Sequence, residues 1–163
     1  MAGQANSGPV VPRLIRVAKE PLSDAIQDYL KEIYKLQAGH ARVSVTALAR
    51  EQGVAAGSAS EMVKKLAALD LVDHEPYKGI RLTPAGERVA LEVIRHHRLL
   101  ELDLAKTLGL HVDDVHDEAD RLEHVLSEEL EARIDSALGF PTHDPHGDPI
   151  PNAALEWPEA EAT

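Results

Sequence analysis

The sequence predicts a mainly α fold: an N-terminal winged helix-turn-helix with a small β-hairpin wing, followed by a helical region. Three observations carry this. Apolar residues recur at helical spacing over most of residues 23–140, two of the helical runs are short and separated by Gly53, and two brief apolar runs flank Pro76-Tyr77-Lys78-Gly79. With 44% hydrophobic but only 3% aromatic residues, the core must be built from aliphatic side chains.

Each element has its own signal. Residues 1–21, with scattered Gly, Pro, Ser and basic residues and no sustained period, are expected to form a flexible N-terminal arm. Ser23 is expected to cap a first helix carrying Ile26, Tyr29, Leu30, Ile33, Tyr34 and Leu36, which Gly39 closes. Thr46 is expected to cap a short second helix that turns Ala47, Leu48 and Ala49 inward and stops at Gly53. A third, from Gly57 to Leu69, places Ala59, Met62, Val63, Leu66 and Leu69 on its apolar side, and the pair forms a helix-turn-helix.

Leu71-Val72-Asp73-His74-Glu75 and Ile80-Arg81-Leu82-Thr83 read as the wing, with its turn at Lys78-Gly79. Thr83-Pro84, a capping residue before a proline suited to the first helical position, starts a long helix running to Leu108 before Gly109. Asp113 or Asp114 begins another through Val115, Ala119, Leu122 and Val125, and Ser127 caps a last one ending at Leu138-Gly139. The expected divisions are therefore 22–84 for the winged helix, 85–140 for the second helical unit, and 141–163 for a turn-rich linker or tail.

The absence of cysteine excludes disulfides, thiolate metal sites and cysteine nucleophiles, so any metal ligand must be nitrogen or oxygen. The net charge of −11 is unevenly distributed: residues 1–41 carry +1, residues 42–98 carry +2, and residues 99–163 carry −14. The first two thirds can approach a polyanion while the last third repels it. No basic segment leads into an apolar run near the start, and no apolar stretch nears the roughly 18 residues of a membrane span, so a soluble cytoplasmic protein without membrane contact is expected. No glycine-rich phosphate loop, G-x-S-x-G elbow or H-E-x-x-H motif occurs, and no enzymatic activity is expected.

The sharpest local feature is Asp120-x-x-Glu123-His124, with His116 one helical turn earlier. Spacings of three and four residues bring such side chains together on a helix, where carboxylates and imidazole can converge on a cation. A solvated acidic face bearing an incidental histidine accounts for the same spacing. His97 and Glu101 form a second pair, open to reading as a metal pair or a helix-stabilising ion pair, and Asp28 sits between the apolar Ile26 and Tyr29, where a role at the helix N-terminus is the plainer reading.

For nucleic acid, Ser58, Ser60, Lys64 and Lys65 on the third helix and Lys78 and Arg81 on the wing are the candidate contacts, with Ala55, Gly57 and Glu61 completing the surface. No arginine or glutamine lies on that helix, so readout would lean on apolar contact, water and DNA shape. A protein-binding or metal-buffering winged-helix module is the competing reading.

Taken together, these residues resemble the diphtheria toxin repressor family of metal-dependent transcription regulators. The resemblance spans residues 22–151 and includes Asp28-Tyr29-Leu30-Lys31-Glu32-Ile33-Tyr34, residues 43–71, Tyr77-Lys78-Gly79-Ile80-Arg81-Leu82-Thr83-Pro84-Ala85-Gly86, His97-Arg98-Leu99-Leu100-Glu101, His116-Asp117-Glu118-Ala119-Asp120-Arg121-Leu122-Glu123-His124 and His146-Gly147-Asp148-Pro149-Ile150-Pro151. It implies a homodimer in which divalent metal bound by an α-helical dimerisation and metal-binding domain activates binding to double-stranded operator DNA. Carried over by position, Asp28, Asp120, Glu123 and His124 form the principal site, and His97, Glu101 and His116 a neighbouring one.

Iron-responsive relatives place methionine and cysteine where this chain has Asp28 and Asp120, whereas manganese-responsive relatives use carboxylates at both. Hard oxygen ligands suit Mn²⁺, the expected cofactor, with Fe²⁺ as the alternative and other divalent transition metals able to bind in vitro. Lys31 stands where some manganese-responsive members carry a metal-binding glutamate, so their paired-metal geometry does not carry over. The expected switch is relief of repulsion among Asp28, Asp120 and Glu123, drawing the first helix onto the rear half.

Overall fold

A computed structural model of the chain describes Arg16–Val17 and residues 20–160. Most of the expected arm lies outside these residues; within it, β1 (Arg16–Val17) pairs antiparallel with β2 (Glu20–Pro21). The mainly α class holds, with six helices and a two-stranded wing among the described residues: α1 (Asp24–Gln37), α2 (Val45–Gln52), α3 (Ala56–Ala68), β3 (Val72–Glu75), β4 (Gly79–Leu82), α4 (Pro84–Thr107), α5 (Val115–Leu122) and α6 (Glu128–Ala137).

The termini show why these segments stop where they do. Ser23, Thr83 and Ser127 accept hydrogen bonds from the backbone N–H groups of Ile26, Gly86 and Leu130, as their positions predict. The cap of α2 is Ser44 rather than Thr46: Ser44 is the extended residue, its Oγ accepts from the Ala47 N–H at 3.0 Å, and Thr46 already lies inside the first turn. Gly53 ends α2 in the left-handed region at φ +64°, the conformation that favours glycine. In the wing, β3 and β4 pair from Val72 with Leu82 to Glu75 with Gly79, so the loop is Pro76-Tyr77-Lys78, with the Lys78 N–H donating to the Glu75 carbonyl. The turn thus sits one to two residues earlier than expected. Val43 adds a bridge to Ile80 beside the hairpin, and a Cβ on Gly79 would meet the Val43 carbonyl oxygen at 2.5 Å.

Two apolar cores share one spine. Leu30, Ile33, Leu48, Ala59, Val63, Leu66, Leu71 and Ile80 pack the winged helix together with Val89, Ala90 and Val93 from the first half of α4. Leu99, Leu100 and Leu102 from its second half join Ala119, Leu126, Ile134 and Ile150. At 24 residues, α4 is roughly 36 Å long and carries both units. α5 ends sooner than the apolar pattern predicts: Glu123 is its C-cap, Leu122 is 39% exposed and Val125 is 74% exposed.

Residues 141–158 pack back on the fold. Ile150 is buried, and Arg98 and Arg95 donate to the carbonyls of Pro149 and Pro151. The Trp157 indole donates to the Tyr34 hydroxyl on α1 at 2.9 Å, with the Arg98 guanidinium 5.7 Å from the Trp157 ring centre. This segment therefore ties α4 to α1. Among the described residues, no helix is long and apolar enough to cross a membrane.

Candidate metal centre

All seven candidate ligands meet in one cluster where α1, α4 and α5 converge. α1 presents Asp28, α4 presents His97 and Glu101 on successive turns of one face, and α5 presents His116 and Asp120. Glu123 and His124 follow from the residues just past the end of α5. Helical spacing alone therefore does not place them; the chain's turn out of α5 does.

Glu123 is the centre of the cluster and is fully buried. Its Oε2 lies 2.5 Å from His97 Nδ1, and its Oε1 lies 3.5 Å from His124 Nε2. His124 Nε2 is 3.0 Å from Asp28 Oδ1, which joins α1 to the residues after α5. His97 reaches Asp120 Oδ1 at 3.2 Å through Nδ1 and Glu101 Oε1 at 2.7 Å through Nε2, while His116 Nε2 lies 3.3 Å from Asp120 Oδ2. The floor is closed and the mouth open: His97, Glu101 and Glu123 are buried, whereas Asp28, Asp120 and His116 border a cleft of about 290 Å³.

The grouping differs from the expected one. Asp28, Glu123 and His124 bring ligand atoms within 4.8 Å of one another, as do His97, His116 and Asp120, so Asp120 falls with the histidines. Glu101 forms a third group with Asp144 and His146. Sequence reasoning did not select Asp144 and His146, which lie in the turn-rich segment; the Asp144 carboxylate accepts the His146 and Asp148 backbone N–H groups and closes that turn.

Gln27 was also missed. Its amide donates to the Leu22 carbonyl, so its carbonyl oxygen faces His124 Nδ1 at 2.9 Å. That contact assigns the proton to Nδ1 and leaves Nε2, the atom facing Asp28 and Glu123, as the ligand atom. An apolar-looking side of α1 gave no hint of this buried amide. Lys31 was noted in the sequence but not placed; its Nζ sits 2.6 Å from Glu123 Oε1 and 3.6 Å from Asp120 Oδ1.

These basic groups change the electrostatics expected of the metal-free cluster. Burial alone would lower the His97 pKa, but hydrogen bonds to Glu101 and Glu123 outweigh it and push it up to about 9. Burial would likewise lower the His124 pKa, but the hydrogen bond to Asp28 and its charge outweigh that and raise it. Lys31 is raised against its own desolvation by Glu123 and Asp120. The carboxylates therefore do not face one another unopposed, and bare repulsion does not separate α1 from α5 in this arrangement.

The candidate nucleic-acid residues lie on or beside α3 and on the wing, and Ala25 and Tyr29 of α1 line a cleft with Ser58, Glu61, Lys64 and Lys65. Ala55, Gly57, Ser58, Glu61, Lys64 and Lys65 are exposed on or beside α3, and Ser60 is half-buried. Lys64 pairs with Glu61 at 3.2 Å, and Arg81 pairs with Asp73 on the wing at 3.4 Å. Lys78 is exposed beside Tyr77, whose fully exposed ring stands at the wing tip with φ +67°. Its aromatic character amid a turn was the available signal for Tyr77.

Residues 21–80 match the family described as iron dependent repressor, N-terminal DNA binding domain, and residues 83–152 match iron dependent repressor, metal binding and dimerisation domain. The chain belongs to the iron-dependent repressor family. It is 35% identical over 133 residues to the diphtheria toxin repressor of Corynebacterium efficiens, covering 82% of this chain and 58% of that protein. It is 34% identical over 130 residues to the iron-dependent repressor IdeR of Mycobacterium tuberculosis, covering 80% and 56%. Among solved structures, a manganese-dependent transcriptional repressor in complex with manganese is 50% identical, with a TM-score of 0.76 over 84% of this chain and 63% of that one. The chain thus spans less than two thirds of each of these relatives.

The residues of this family member fit a divalent cation on their own chemistry. The donors are all carboxylate oxygen or imidazole nitrogen, drawn from three helices and the residues after α5. Glu101 Oε2 is buried without a hydrogen-bond partner and lies 3.2 Å from His146 Nδ1. His124 Nε2 is held ligand-ready by Gln27.

Proposed function

We propose that the protein is a metal-activated repressor that binds operator DNA as a homodimer in the cytoplasm, responds to manganese and controls metal-uptake genes. The observation that carries this reading is that Asp28, on the first helix of the winged-helix unit, joins a donor cluster whose other members belong to α4, α5 and the residues after it. The position of the DNA-binding head is thereby linked to the state of that cluster.

Asp28, Asp120, Glu123 and His124 form the principal ligand set, and His97, Glu101 and His116 the neighbouring one, with Asp144 and His146 beside Glu101; Asp120, which meets His97 and His116 as well, stands between the two sets. A bound divalent cation supplies concentrated positive charge and directional bonds to these donors. Asp28 then acts as the strut from α1, Gln27 holds the imidazole of His124 in its ligand tautomer, and Glu123 anchors the set in the buried floor. Carboxylate-rich donors without sulfur favour Mn²⁺, and the iron-dependent relatives make Fe²⁺ the alternative. Zinc, cobalt or nickel can bind more tightly in vitro by the Irving–Williams order.

On DNA, α3 enters the major groove while Lys64, Lys65, Lys78 and Arg81 neutralise phosphates. The exposed apolar side chains of Leu108, Leu122 and Val125 support pairing of two copies through the second unit. Their paired α3 helices would read half-sites about 34 Å apart. A coupling of about 1–3 kcal/mol between cluster and head corresponds to roughly 5- to 150-fold in operator affinity.

The test is a footprint on the DNA upstream of the protein's own gene, titrated with Mn²⁺ and, anaerobically, with Fe²⁺. Protection of a palindromic site is expected to need metal and to vanish with chelator, and Asp28→Ala or His124→Ala is expected to leave the chain folded but without metal response. Equal protection after rigorous chelation defeats this function; equal metal enhancement in parent and variants defeats the ligand assignment.

A further inference from the structure

We infer that Lys31 is a built-in cation of the cluster: its ammonium clasps α1 to Glu123 when no ion is bound and competes for the same carboxylate, so it sets how much free metal the protein needs. The inference rests on the proposed function for its consequence, but the clasp itself stands on contacts within the chain.

Lys31 lies three residues after Asp28 and so projects from the same side of α1. Its side chain is 11% exposed, and the 2.6 Å contact with Glu123 Oε1 joins residues 92 positions apart in sequence. The second contact, to Asp120 Oδ1, puts the ammonium between two carboxylates of the proposed ligand set. A lysine has three donors and no acceptor, so it cannot ligate a cation; it can only occupy the place of one.

The surroundings of Glu123 make this occupancy consequential. Oε2 is engaged by His97, and Oε1 is shared between Lys31 and His124. With the Glu123 side chain fully buried, no solvent face of the carboxylate is left over. Use of Oε1 as a ligand requires Lys31 to yield it. The ammonium therefore has two opposed effects: it holds the head against the second unit without metal, and it lowers the affinity of the carboxylates for one. A merely structural ion pair would have the first effect alone.

Lys31→Met and Lys31→Gln remove the charge, and Lys31→Arg retains it. Removing the ammonium frees Glu123 Oε1 and takes a competing positive charge from beside Asp120, so both charge-free variants are expected to bind Mn²⁺ at least about tenfold more tightly in calorimetric titration. Without metal, hydrogen exchange of the α1 backbone is expected to quicken in both, while Lys31→Arg stays near the parent in both readouts. Circular dichroism verifies that each variant is folded, and Lys31→Gln serves where the apolar side chain is not tolerated. Unchanged Mn²⁺ affinity in a folded charge-free variant overturns the competition, and unchanged α1 exchange overturns the clasp. A parent that takes up no Mn²⁺ overturns the proposed function instead, leaving the exchange experiment to decide the clasp.

Discussion

Replacing Glu92 with glutamine should stabilise the protein in a strongly pH-dependent way. Glu92 lies on α4, is 5% exposed, and has one carboxylate oxygen buried with no hydrogen-bond partner. Burial is the main cause pushing its pKa to about 7; Glu131 and Glu128 push the same way, and His96 and Arg95 oppose. Moving a carboxyl from 4.5 to about 7 costs the folded chain about 3 kcal/mol once the group is ionised. The sign follows from proton counting: between these values the folded state holds the proton more tightly than the unfolded one, so stability falls as pH rises from 4.5 and the full cost is reached above about 7. A neutral amide of similar shape carries no such cost. Urea unfolding followed by circular dichroism, at fixed protein concentration and with chelator present, should find Glu92→Gln more stable than the parent by about 2–3 kcal/mol at pH 8, with the gain shrinking to below about 1 kcal/mol at pH 5. An equal gain at both pH values, or a loss at pH 8, would refute the reasoning.

Three further outcomes are expected. Gln27→Leu leaves His124 Nδ1 without its acceptor and should weaken Mn²⁺ binding by about 10- to 100-fold in calorimetry, while the thermal melt of the metal-free protein moves little by comparison. Lys64→Ala and Lys65→Ala should each lower operator affinity on all sequences alike and reduce the salt slope by about 1, measured by fluorescence anisotropy across salt concentrations; an unchanged slope argues against phosphate contact. Gly86→Ala should destabilise the fold by roughly 2 kcal/mol or more, because a Cβ there would meet the Leu71 carbonyl oxygen at 2.0 Å where α4 leaves the wing, and a melt equal to the parent's would show that this contact yields easily.

Local rules read well where a local interaction decides the structure. Ser23, Thr83-Pro84 and Ser127 announce helix starts because a short hydroxyl satisfies a free backbone N–H of the first turn, and that bond needs nothing from elsewhere in the chain. Ser44 and Thr46 are both good caps, and only the extended backbone of Ser44 decides between them. The ending of α5 was less legible because its apolar period continues through Val125, although Val125 is left outside the core. For the site, the ligand types and their helical spacing were visible at His97 and Glu101 and at His116 and Asp120. What brought the three segments together was packing of α1 and α5 on α4, which no spacing rule contains. Gln27, Lys31, Asp144 and His146 needed that packing before they acquired a partner.

The same packing explains how the floor of the cluster is kept in place. His96 contacts the Glu123 backbone carbonyl through Nδ1 at 3.2 Å and Glu131 Oε2 through Nε2 at 2.7 Å. Glu131 is in turn held by Arg95, which also donates to Asp135 and to the Pro151 carbonyl. Adjacent residues of α4 thus serve two ends: His97 faces the candidate ligands, while Arg95 and His96 tie α6 and the segment after it to the backbone that carries Glu123. Buried ion pairs of this kind contribute little net stability against apolar replacements, because desolvation offsets their attraction. Their effect here is positional. They hold the Glu123 backbone from the α6 side, while Lys31 of α1 meets its carboxylate directly, so a change in what that carboxylate binds bears on the helix that leads into the DNA-binding head.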